Sequence, residues 1–146
     1  TLGLRIFAGY GPGEARKRDL SSAVTLFLRD IFSGKRPTVW GDGSQARDFI
    51  YIDDIVQALV AAGESYREGV VNLGTGTAYS FTDIIYMING ELGTDILPVY
   101  VPRPKFYIDK TQADTTRMRE WLNITPTPLR EGIRRYVQYA RNGGTI

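Results

Sequence analysis

Neither cysteine nor histidine occurs in the chain. The first absence removes disulfides and thiolate chemistry and fits a reducing compartment. The second removes imidazole general bases, histidine-ligated zinc and serine–histidine triads, so no metal centre is expected. Also missing is any apolar run of about 18 residues that would cross a bilayer. No basic segment is followed by an apolar stretch and a small-residue cleavage site, and the chain reads as cytoplasmic. Charge of one sign is lacking too: 18 Lys and Arg face 16 Asp and Glu, a formal net charge of +2. That near-balance excludes a nucleic-acid or membrane reading based on overall field.

What is present suffices for one core. The chain has 146 residues, 42% of them apolar, which points to a single domain. Arg5, Arg16, Lys17, Arg18, Arg29, Lys35 and Arg36 outnumber Glu14, Asp19 and Asp30 within residues 1–36. That part suits a small anionic partner. Thr1 leads directly into the strand-like run Leu2–Phe7, as the inside of a longer polypeptide would.

The stretch from Gly41 to Val56 organises the rest. Gly41 and Gly43 permit a tight reversal, Arg47 follows it, and a short extended run leads to a helix expected from Asp53 or Asp54 to about Ser65. A planar guanidinium where the chain changes direction twice can engage two oxygens of a phosphate or carboxylate. The alternative is an ordinary hairpin with a surface arginine. The paired aspartates read as helix caps rather than as an acid/base pair. Apolar residues over most of its girth predict that this helix is covered on two sides.

Elsewhere the pattern alternates strand and helix. Leu2–Phe7 reads as a strand covered on both faces, ending in the glycine-rich loop Gly9–Gly13, and Glu14–Asp19 as an exposed charged segment in which Lys17 is the anion contact. Ser21 or Ser22 caps a helix carrying Val24, Phe27, Leu28 and Ile31. Val39 and Trp40 form a brief strand beside Arg47, suited either to a flat base or to the core. Gly69–Leu73 is another strand, and Gly74-Thr75-Gly76-Thr77 after it has the composition of a phosphate cradle, although Tyr79 stands where a dinucleotide fingerprint needs its third glycine. Ser80 and Asp83 form a capping pair before Phe81, Ile84, Ile85 and Ile88. Pro102–Tyr107, with Arg103 and Lys105, is an anion clamp or a solvated connector. Two more helices follow, the last capped by Thr127.

Four blocks in order resemble the NAD-dependent epimerase/dehydratase family, the extended short-chain dehydrogenase/reductases that act on nucleotide sugars. They are Leu4–Pro12, Gly41–Phe49, Val71–Gly76, and Ala113-Asp114-Thr115 with Pro126 and Glu131-Gly132-Ile133. The resemblance is to the C-terminal part of that family. It implies an α/β fold with an incomplete Rossmann-like sheet, late strands only, plus the small mixed substrate-binding lobe. Residues 1–146 would be one compact sugar-nucleotide-binding unit, truncated and without the N-terminal NAD-binding half. The resemblance assigns Arg47 to the diphosphate, Arg103 to a second contact there, Val39 and Trp40 to the border of the base, and Lys17 and Tyr107 to the sugar. Tyr10–Glu14 with Lys17, and Tyr107 with Thr111–Asp114, are similar to ADP-heptose 6-epimerases; Gly41–Gln45 with Arg47 is similar to UDP-glucose 4-epimerases.

The family's catalytic tyrosine followed four residues later by lysine does not occur, since Tyr107 has Lys110 at three and Tyr10 has Glu14 at four. No glycine-rich NAD loop occurs either. The expectation is therefore a catalytically incomplete chain with no catalytic residue and no cofactor of its own, NAD belonging to the complete family enzyme. A nucleoside-diphosphate sugar is the expected ligand, with self-association or a partner supplying the missing half. A non-catalytic interaction module and a subunit of a split epimerase or dehydratase are the alternatives.

Overall fold

The computed structural model describes residues 1–146. The opening run stays extended for nine residues but changes partner halfway. β1 (Leu2–Ile6) pairs in parallel with β5 (Gly69–Leu73), Leu2 against Gly69 and Ile6 against Leu73. The Phe7 N–H still reaches the Leu73 carbonyl at 2.9 Å. From the next residue, β2 (Ala8–Tyr10) lies parallel to β4 (Ala46–Tyr51), and β4 pairs antiparallel with β6 (Ala78–Ser80). A third ladder joins β3 (Thr38–Trp40) in parallel to β7 (Val99–Val101).

These three ladders correct the expectation of late strands from one incomplete sheet. They also replace the expected hairpin at Gly41–Ser44, since β3 and β4 share no rung. The Gly41 N–H extends the β3–β7 ladder by bonding the Val101 carbonyl at 2.8 Å, while the Gln45 amide occupies the Trp40 carbonyl at 2.7 Å. Gly43 (φ 80) turns the chain between them. A Cβ there would lie 2.5 Å from the Thr82 hydroxyl, so backbone sign and close approach both require glycine. Nor is β1 covered on both faces, because Arg5 and Ile6 are exposed.

Five α-helices follow from local signals. Ser22 accepts from the Thr25 N–H at 3.3 Å and starts α1 (Ala23–Phe32), which buries Val24, Phe27, Leu28 and Ile31. α2 (Ile52–Gly63) departs from expectation. Only Asp54, Ile55 and Ala58 are buried on it, whereas Val56, Leu59 and Val60 lie open. Asp54 does not cap its own helix; its carboxylate accepts the Thr127 N–H at 2.7 Å and hydroxyl at 2.9 Å, pinning the segment that enters the last helix. α3 (Phe81–Leu92) opens with a reciprocal capping box between Ser80 and Asp83. α4 (Thr116–Leu122) stops at Asn123, which takes the left-handed conformation. α5 (Leu129–Arg141) buries Leu129, Ile133, Tyr136, Val137 and Ala140, the expected stripe.

α1, α3 and α5 pack with the central ladder into a 17-residue core that includes Phe27, Phe49, Ile84 and Tyr136. A second cluster of 8 residues, among them Ile50, Val71, Leu73 and Met118, lies between α2, α4 and the β1–β5 ladder. β4 is shared by both, because Phe49 faces one cluster and Ile50 the other. That strand therefore carries Arg47 at the junction of the two halves. No helix is long and apolar enough to cross a membrane.

Candidate functional site

A cavity of about 430 Å³ opens beside β4. Ala8, Gly9, Leu26, Phe27, Trp40, Arg47, Phe81 and Tyr107 line it, together with Glu14 and Lys17. Two smaller cavities adjoin it. One of about 320 Å³ shares Gly9, Glu14 and Lys17 and continues to Phe7, Pro12 and Ile52. The other shares Ala8 and Arg47 and continues to Arg5 and Thr111. Arg47 and Lys17 thus both line the main cavity, and each borders a different adjoining one.

Arg47 is held without being neutralised. Its guanidinium donates to the carbonyls of Ala46 at 2.7 Å, Ile108 at 2.7 Å and Asp109 at 3.3 Å. The Tyr107 ring centroid lies 5.0 Å from it and that of Phe81 6.0 Å. No carboxylate lies within 4 Å of Arg47. Neutral carbonyls fix its orientation and leave the full positive charge facing the cleft, an arrangement that favours an anionic oxygen.

The other expected residues are placed differently from one another. Trp40 lines the cavity, 42% exposed, with its ring edge-on to Tyr107 at 5.1 Å. Val39 is 1% exposed and belongs to the large core, so it supports the wall from behind. Arg103 lies outside the cavity lining; it forms an ion pair with Asp109, donates to the Tyr107 carbonyl at 2.5 Å and stacks on the Tyr107 ring at 5.7 Å. The Tyr107 ring thereby meets two guanidiniums. Lys17 lines the cleft and bonds Glu14 at 3.0 Å.

Glu14 corrects the expectation of an exposed charged segment. It is 6% exposed, at the start of 3-10 turns over Glu14–Leu20 that break at Arg18 (φ 51). Its carboxylate accepts the Ser22 N–H at 3.1 Å, the Ser22 hydroxyl at 2.6 Å and the Thr25 hydroxyl, besides Lys17. Burial pushes this carboxyl up, but the hydrogen bonds from Ser22, Thr25 and Lys17 outweigh it and hold it below the usual carboxylate range. The Thr25 hydroxyl also meets the Tyr136 hydroxyl at 3.3 Å. The hydroxyl run Ser21-Ser22 with Thr25, seven to eleven residues beyond Glu14, was read only as a helix cap and is the one signal in the sequence that could have found it.

The loop that resembled a phosphate cradle already holds an anion. Asp48, 0% exposed, accepts the Thr75 N–H at 2.6 Å, the Thr75 hydroxyl at 2.7 Å, the Gly76 N–H at 2.8 Å and the Ala113 N–H at 3.0 Å. Its converging donors are saturated from within, so the Gly74–Thr77 loop does not fit the phosphates of a dinucleotide.

The NAD dependent epimerase/dehydratase family model matches residues 1–74, half of the chain. UDP-glucose 4-epimerase of Mycolicibacterium smegmatis is 33% identical over 135 residues, which cover 91% of this chain and 43% of the relative. The crystal structure of UDP-glucose 4-epimerase from Thermotoga maritima with UDP-glucose superposes with a TM-score of 0.90 at 31% identity, over 97% of this chain and 46% of that one. UDP-glucuronic acid 4-epimerase from Bacillus cereus, solved with a fluorinated UDP-glucuronic acid and NAD, gives 0.84 at 30% identity, over 97% and 45%. The chain therefore spans somewhat under half the length of these relatives.

These likenesses revise four expectations. The match runs along 97% of this chain and 46% of the solved relative, with seven strands in place in three ladders, so the description as a truncated remnant with only late strands is withdrawn. Solved relatives that align with 97% of this chain were determined with a UDP-sugar and NAD, so the readings as a catalytically incomplete or non-catalytic module or a split subunit are not carried further. Self-association, or a partner that supplies a missing half, rests on no contact in this structure and is likewise not carried further. The absence of groups for chemistry is corrected by the network of buried Glu14 and Thr25 with half-buried Ser22 and exposed Lys17 at the cavity, a candidate catalytic site that the tyrosine–lysine spacing does not detect. With half its length matched by the family model and almost all of it superposing on solved members, the chain belongs to the NAD-dependent epimerase/dehydratase family.

Proposed function

We propose that residues 1–146 act as one compact unit that binds a nucleoside-diphosphate sugar for NAD-dependent epimerase or dehydratase chemistry. The observation that carries this reading is the uncompensated Arg47 guanidinium, fixed by three backbone carbonyls at the wall of a 430 Å³ cavity. It takes the diphosphate. Trp40 and Tyr107 offer flat apolar surface to the base, with Val39 behind them, and Lys17 reaches the sugar from the other extension of the cleft. Arg103 becomes a second phosphate contact when a phosphate oxygen replaces its Asp109 partner. UDP-sugars are the substrate class, supported by what the similar solved proteins bind.

NAD, when bound, supplies the hydride exchange of the family's chemistry. Its phosphates are assigned to none of these residues, because Asp48 fills the one strand-terminal glycine loop with a cradle's composition. What this chain contributes is binding and orientation: Arg47 fixes the diphosphate, and Lys17 holds a sugar hydroxyl. Calorimetric titration with UDP-glucose tests the reading. Saturable binding is expected, weakened about 10- to 100-fold by Arg47→Ala through loss of the charge-assisted contacts. Equal affinity of the wild type and Arg47→Ala overturns it.

A further inference from the structure

The two cations that line the main cavity differ in one respect. Arg47 has no carboxylate partner, whereas Lys17 lies 3.0 Å from Glu14. Given the assignment of the diphosphate to Arg47, on which this inference rests, we propose that Glu14 is a positioning residue. It neutralises Lys17 at the sugar end and selects a nucleoside-diphosphate sugar whose hexose bears hydroxyls there rather than a carboxylate.

The hydrogen bonding fixes this arrangement. One Glu14 oxygen receives Lys17 at 3.0 Å and the Ser22 N–H at 3.1 Å, the other the hydroxyls of Ser22 at 2.6 Å and of Thr25. Four donors fill the four lone-pair sites of a carboxylate, so Glu14 has no capacity left for a sugar hydroxyl. Its negative charge stays in place, 6% exposed and facing the same two cavities as Lys17. The Lys17 side chain is 57% exposed. One of its three N–H groups serves Glu14, and the others remain available to oxygens of a ligand.

A hydroxyl entering this end gains a donor at small desolvation cost. A uronate carboxylate gains the same donor but stands beside the Glu14 carboxylate. Attraction to one group and repulsion from the other then nearly cancel, and the cost of stripping water from the anion remains. The cleft therefore has one charged end, at Arg47, and one electrically balanced end, at Lys17.

Titration of the wild type, Glu14→Gln and Lys17→Gln with UDP, UDP-glucose and UDP-glucuronic acid tests this, with circular dichroism to verify folding. The wild type is expected to bind UDP-glucose more tightly than UDP-glucuronic acid. Glu14→Gln should narrow or invert that preference on the order of tenfold, as removal of one nearby charge in a partly desolvated site allows. Lys17→Gln, at an exposed side chain, should widen it, and decides the matter if Glu14→Gln fails to fold. A loss of packing alone would weaken both sugars together. An unchanged ratio in the folded variants, or a wild type that prefers UDP-glucuronic acid, overturns the inference while leaving the diphosphate site intact. Failure of UDP itself to bind overturns the reading of the cleft and the inference with it.

Discussion

Arg47 and Asp48 are neighbours on β4, and their surroundings could hardly differ more. Asp48 is fully buried with four donors converging on it, three of them backbone N–H groups of the Gly74–Gly76 loop and Ala113. Arg47, one residue earlier and so on the opposite side of the strand, faces a cavity and meets only carbonyls and rings. In one environment a loop with the composition of an anion cradle has its anion covalently supplied by the chain. In the other, a fixed cation has none. The difference shows that a ligand site is recognised by what is left unsatisfied, not by glycine content or charge alone.

The contrast can be broken most directly at Asp48. Asp48→Ala leaves one buried and two half-buried N–H groups without their acceptor and is expected to destabilise the fold by about 3–5 kcal/mol in chemical denaturation. A loss under about 1 kcal/mol would mean that the loop does not depend on its internal anion. Gly74→Ala attacks the same region sterically, because a Cβ there would stand 2.6 Å from the Ala113 Cβ and 2.8 Å from an Asp48 oxygen. About 1–3 kcal/mol should be lost by the same measurement. At the open side the expectation reverses: Arg47→Ala should change stability by no more than about 1 kcal/mol, since its partners are solvent-accessible carbonyls, while UDP-sugar affinity falls. A large stability loss there would reclassify Arg47 as structural.

The smallest effect concerns pH. The Glu14 carboxyl is held below its ordinary value of about 4.3, so the unfolded chain binds more protons than the folded one in the window below that value. The stability Glu14 contributes is present above that pH and is lost as pH falls through its folded value. Thermal unfolding between pH 6 and about 3 should show a shallower decline for Glu14→Gln than for the wild type. Parallel declines would show that Glu14 is not held in its charged form by the fold.

Much of the architecture was legible because its signals are local. The Ser22 and Ser80 caps, the α5 stripe and the position of Arg47 after a glycine reversal all lie within a few residues of what they control. The failures are contacts distant in the chain. β3 pairs with a strand some sixty residues onward, so a reversal after it resembled a hairpin. Asp48 finds its donors at Thr75, Gly76 and Ala113, and without them the glycine loop looked vacant. Asp54 reaches Thr127 across the chain instead of capping its own helix. The apolar girth of α2 predicted cover on two sides, yet Val56, Leu59 and Val60 lie open, because only one side of that helix meets the second core. At the site, Trp40 and Lys17 line the cavity, whereas Glu14, which joins them there, looked like surface charge in a segment rich in it.

The placement of the two tryptophans has an optical consequence. Trp121 is stacked by Arg117 at 4.8 Å and Arg67 at 5.4 Å, away from the cleft, whereas Trp40 stands at its wall with the Tyr107 ring 5.1 Å distant. A base settling against Trp40 would dry and quench one indole while the other emits unchanged, so the molecule carries its own occupancy gauge together with an internal reference.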